Sequence, residues 1–108
     1  MREEKLSKMS IPKTIKISGY EFKVNLSTRK ELEDDFGTMD METLTICIEK
    51  GIDEQLQYST LLHEVIETIN YIHELDLDHS KIMTLETCLY QVLCYNNLQF
   101  GKKTNIKK

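Results

Sequence analysis

No apolar run in this 108-residue chain approaches the ~20 residues needed to span a membrane, so membrane insertion through a helix is excluded as an expectation. One proline and four glycines leave no Pro- or Gly-rich linker, and no internal repeat or low-complexity segment is visible. Three cysteines, Cys47, Cys88 and Cys94, cannot pair completely and form no Cys-x-x-Cys. They sit in apolar stretches as small hydrophobes do, and the reading is that all are reduced and structural. The N-terminus, Met1-Arg2-Glu3-Glu4-Lys5, lacks the apolar core and small-residue cleavage site of a secretory signal, which predicts a cytoplasmic protein.

Bases are scarce where the chain should fold. Residues 17–100 carry 5 bases against 16 acids, a net of −11, whereas residues 1–16 carry +3 and residues 101–108 carry +4. Such a body repels phosphate backbones and favours cations or basic partners, so nucleic-acid binding is not expected despite the lysines of the tail. What remains is ordinary globular composition, 40% hydrophobic and 30% charged, at a length that suits one domain with one core. The expected organisation is a disordered arm over 1–10, one domain over 11–100 and a basic tail over 101–108.

Lys13–Ile17 alternates polar and apolar, Ser18-Gly19 is turn-forming, and Glu21–Leu26 alternates again, which predicts a β-hairpin. Its inward set would be Ile15, Ile17, Phe22, Val24 and Leu26, the pattern of a sheet covered on one side. Residues 28–35 are almost wholly charged and fit a helical turn or a solvated loop equally well. Phe36–Met41 reads as a short strand, Glu42-Thr43 as a turn, and Leu44–Glu49, alternating and β-branched, as the clearest strand of the chain. Asp53 is placed to cap a helix over 54–75, and Asp78 to cap a second over 79–97 whose apolar face would be Ile82, Leu85, Leu89, Val92 and Leu93. The predicted fold is therefore α+β: a three- to four-stranded, mainly antiparallel sheet followed by two packed helices.

The chemistry concentrates in Leu62-His63-Glu64-Val65-Ile66-Glu67. Leu62, Ile66 and Ile69 recur at helical spacing, so His63 and Glu67, four residues apart, share one helix face beside a buried stripe. His-Glu-x-x-His on a helix is the zinc-hydrolase pattern, in which two ligands hold the ion and the intervening Glu is the general base. Here the second histidine is Glu67; carboxylate oxygen is an accepted zinc ligand, but an i, i+4 hydrogen-bonded surface pair uses the same residues.

Residues 11–97 resemble a family of small bacteriophage and prophage proteins related to minimal zincin metallopeptidases. Ile11–Tyr20, Thr43–Ile46, Leu62–Glu67 and Leu89–Leu93 carry the resemblance in this order. It implies a bacterial host cytoplasm, a small sheet beside a metal helix, a following helix behind it, and a zinc-dependent peptidase activity. The chain looks like a variant branch with glutamate in the second ligand position.

A catalytic zinc takes three protein ligands and a water, and three residues compete to join His63 and Glu67. Glu86 lies on the inward stripe of the second helix and, in an antiparallel pair, level with Thr68; it is the leading third ligand, with a hydrogen bond to Tyr71 or Tyr90 as its plain alternative. His79 shares that stripe nearer the loop, as a supporting partner, a more distant ligand or a helix cap. His73 would reach the site if Asn70 broke the helix in a left-handed conformation; in a continuous helix it points about 80° away from His63. Glu64 would be the general base toward a water attacking a peptide carbonyl, or else a solvated carboxylate. Leu44–Glu49, if at the sheet edge, would dock an extended peptide by strand addition. The rival reading is a metal-free acidic protein of a mobile element that occupies a partner protein's basic surface. Nothing in the sequence sets the oligomeric state.

Overall fold

The computed structural model describes residues 11–33 and 35–98. The predicted arm at 1–10 and tail at 101–108 lie outside the described residues. Four strands, β1 (Thr14–Ile17), β2 (Tyr20–Ser27), β3 (Gly37–Asp40) and β4 (Thr45–Glu49), precede two helices, α1 (Glu54–His73) and α2 (His79–Tyr95). This is the α+β arrangement read from the sequence.

The β1–β2 hairpin closes at Ser18-Gly19, where both residues have positive φ, 53° and 88°; this is the handedness that a two-residue turn needs to match strand twist. Strand order is β1-β2-β4-β3, with β2 and β4 parallel and the two outer pairings antiparallel, so the sheet is mixed. Its most apolar strand takes the inner place: Ile46 and Ile48 of β4 are fully buried. That placement corrects the suggestion of β4 as a docking edge, because both of its sides are already paired; β1 and β3 are the edge strands.

Between β2 and β3 the charged stretch makes turns pinned by one buried side chain, Leu32. Thr28 and Glu31 exchange side chain-to-backbone hydrogen bonds at its start, Glu31 N donating to Thr28 Oγ1 and Thr28 N to Glu31 Oε1, as in a capping box.

α1 lies against β1, β3 and β4 and presents Leu61 to a core of Ile17, Phe22, Val24, Ile46 and Ile48. Leu26, expected in that core, pairs in register with Ile48 yet is 51% exposed, because α1 does not reach over the end of β2. α2 packs on α1 alone, through Ile82 against Leu62 and Ile66, with Leu77, Tyr90 and Leu93 around them. A helix resting on one neighbour buries only a narrow arc. Hence Leu85, Leu89 and Val92, expected inside, are exposed. The cysteines are free as read, but Cys88 is exposed rather than packed. Among the described residues no helix is long and apolar enough to cross a membrane.

Candidate metal centre

Two capped helix starts set the site. Asp53 accepts from Gln55 N at the head of α1, and Asp78 accepts from Lys81 N at the head of α2. Those bonds, the backbone one from Lys81 first and the Ser80 hydroxyl next, hold the Asp78 carboxyl below its ordinary range. With Asp78 serving as cap, His79 is left free of that role and stands one residue inside α2.

His63 and Glu67 occupy successive turns of α1 and meet: His63 Nε2 is 3.3 Å from Glu67 Oε2. The other ring nitrogen, Nδ1, is 2.9 Å from Glu86 Oε1 of α2, so the histidine bridges both helices. The His79 ring stands edge-on to that of His63, with centroids 5.9 Å apart. Among the described residues, one His/Cys/Asp/Glu group can share an ion: a ligand atom from each of His63, Glu67 and His79 lies within 4.8 Å of the other two. Ligands of a tetrahedral zinc at ~2.0–2.1 Å stand about 3.3–3.4 Å apart, so the His63–Glu67 pair already has that spacing and the third group must close by on the order of 1 Å or more to share the ion. The donor set, two imidazoles and a carboxylate, is one that could hold a metal ion.

Glu86, the leading third ligand on sequence grounds, meets His63 at Nδ1, the nitrogen opposite the one that faces Glu67, and His79 stands beside the same ring. His73 is elsewhere. α1 runs unbroken through Asn70 and ends at Glu74 in the left-handed conformation, φ 51°, while His73 Nε2 lies 2.7 Å from Ser18 Oγ at the hairpin turn. Asn70 instead secures the interhelix loop, its side chain accepting from Leu77 N and donating to Leu77 O.

Glu64, the next residue of α1, reaches toward β3 of the sheet and is buried rather than solvated. Burial pushes its carboxyl up to about 7, reinforced by the charges of Glu67, Asp35 and Glu86 and opposed by His63. The side chain rests against β3 at Gly37: a Cβ there would stand 2.7 Å from Thr60 Cγ2 and 3.2 Å from Glu64 Oε2. Glycine is what lets the edge strand approach the carboxylate. A cleft of about 330 Å³ opens there, lined by His63, Glu64 and Glu86 together with Phe36, Leu56 and Met83.

Sequence reasoning found the ionisable residues and missed the wall. Gly37, Thr60, Phe36, Leu56 and Met83 become neighbours only through the packing of β3 and α2 on α1, and no local pattern marks them. For Gly37 the one available signal was a glycine inside an alternating strand, which often marks a close backbone approach. No family model, curated protein or solved structure matches the chain.

Proposed function

We propose that the protein is a zinc-binding hydrolase of zincin type, acting on peptides, with His63, Glu67 and His79 as ligands, Glu86 as the orienting partner of His63, and Glu64 as general base. One observation carries this reading: His63 presents Nε2 to Glu67 at 3.3 Å while Nδ1 is held at 2.9 Å by a carboxylate from another helix. Charge-assisted N–H···O bonds run about 2.7–2.9 Å, which the Glu86 contact meets and the Glu67 contact exceeds. Two ligands of a tetrahedral zinc at 2.0–2.1 Å stand about 3.3–3.4 Å apart, which is the His63–Glu67 spacing. A carboxylate on the second ring nitrogen fixes the tautomer that leaves Nε2 free to bind metal, as ligating histidines ordinarily require.

Zinc held there would supply Lewis acidity toward a carbonyl oxygen and toward water. The remaining chemistry belongs to the chain. Glu64, with a carboxyl brought near neutrality, accepts the proton of the attacking water and returns it to the departing amine. An extended peptide added to the free edge of β3 would run past Gly37, beside which the Glu64 carboxylate lies.

The rival is a metal-free acidic binding protein, in which His63 is simply an ion-paired tie between Glu67 and Glu86. Metal content separates the two. The full chain, made without a histidine tag, is expected to hold about one zinc by plasma mass spectrometry, and His63→Ala or Glu67→Ala close to none. A folded wild type that retains less than roughly 0.1 zinc per chain after zinc is supplied leaves only the rival.

A further inference from the structure

The outer surface of α2 differs from the rest of the molecule. Every exposed residue from Met83 to Leu98 is uncharged, and the single ionisable carboxylate in that stretch, Glu86, is turned inward onto His63. The chain as a whole is 30% charged. On this neutral surface Leu85, Leu89 and Val92 recur at i, i+4 and i+7, a second apolar stripe 40–49% exposed and separate from the arc that packs on α1.

We propose that this stripe is the interface of a homodimer, α2 packing antiparallel on α2 of a second copy about a two-fold axis near Leu89. The occupant follows from charge. A two-fold interface meets itself, so any charged residue on it faces its own like or must find a partner within the same patch. The body of the chain, 5 bases against 16 acids over residues 17–100, repels a second copy over most of its surface; the α2 face brings no charge to the contact. Other partners match less well. A basic protein would need acidic residues around the stripe, and an anionic membrane or nucleic acid would need several cations, of which α2 has only Lys81.

One helix face is small against the ~800 Å² per partner of a standard interface, which makes the dimer weak and concentration-dependent. Sedimentation velocity of the full chain between about 1 and 200 µM is expected to show a mass rising to twice that of one chain. Because Leu89 is already 42% exposed, Leu89→Glu and Leu89→Lys leave circular dichroism unchanged. Each alone is expected to raise the dimer dissociation constant at least ~30-fold through like charges meeting across the axis, and an equimolar mixture of the two to regain dimer. That regain identifies a second copy, near Leu89, as the occupant. A wild type that remains a single chain at about 200 µM, or a dimer indifferent to both variants, overturns the proposal.

Discussion

Glu86 Oε1 stands 2.9 Å from His63 Nδ1 across 23 residues of chain, and this contact joins the two helices at the candidate metal centre. It assigns Glu86 a definite role: it holds the ring, and it does so from the nitrogen that a ligand set on Nε2 does not use. Substituting it separates positioning from ligation. Glu86→Gln keeps an acceptor for the Nδ1 hydrogen, so zinc affinity should fall by no more than about tenfold; Glu86→Ala removes the acceptor and should cost about 10–100-fold. Competition titrations against a chromophoric chelator measure both. An amide is a poor zinc ligand, so loss of binding in Glu86→Gln equal to that in His63→Ala would return Glu86 to the ligand set.

The burial of Glu64 has a cost that pH reveals. Its carboxyl titrates at about 7 in the fold against an ordinary 4.5, so the folded chain binds the proton more tightly than the unfolded one. Stability of the chelator-treated protein is therefore fullest below about pH 4.5 as far as this group is concerned, and falls between about pH 4.5 and 7, by on the order of 3 kcal/mol in all. Glu64→Gln removes most of that decline. Urea unfolding at several pH values is expected to show the variant more stable than wild type at pH 8 and close to it at pH 5, while hydrolysis is abolished and zinc binding kept.

Gly37 predicts an opposite balance. A methyl group placed 2.7 Å from Thr60 Cγ2 and 3.2 Å from the carbonyl oxygen of Cys47 has a side chain on one side and backbone on the other. Gly37→Ala should thus force β3 from α1 and cost about 1–3 kcal/mol. Thr60→Ser, which deletes the methyl in the way, should recover part of that loss in the double variant but not when made alone. Additive effects in thermal melts would show that the two residues do not press on each other.

What could be read from the sequence divides along the line between local and long-range causes. Asp53 and Asp78 as caps, the Ser18-Gly19 turn and the two helices follow from chemistry within a few residues, and they were legible. The inner position of β4 follows from pairing with β2 residues 22 positions earlier in the chain, which periodicity does not encode. Leu26 and Leu89 show the same limit: alternation and helical spacing tell which side a residue faces, not whether another element extends far enough to cover it. At the site, His63 and Glu67 were readable as an i, i+4 pair. The separate positions of Glu86, on His63 Nδ1, and of His79, beside the His63 ring, were not, since both lie on one stripe of α2 and only the packing of the helices sets them apart.

Restoring the histidine that the motif lacks tests the ligand set from its other end. His63 Nε2 and Glu67 Oε2 already lie 3.3 Å apart, so Glu67→His places an imidazole nitrogen where a carboxylate oxygen stands, one turn from His63. If the two residues share an ion, zinc affinity is kept or raised, because imidazole is at least as good a zinc donor. The third ligand should then be visible through its removal: adding His79→Ala to Glu67→His should weaken binding at least tenfold, about 1.4 kcal/mol, whereas adding Glu86→Gln should not. If Glu67 is only the acceptor of an ion pair, the substitution sets two imidazoles together with no third group arranged, and binding should be weak whether or not His79 is present. Equal affinities for Glu67→His with and without His79→Ala would therefore remove His79 from the site, and a parallel loss in Glu86→Gln would put Glu86 in its place.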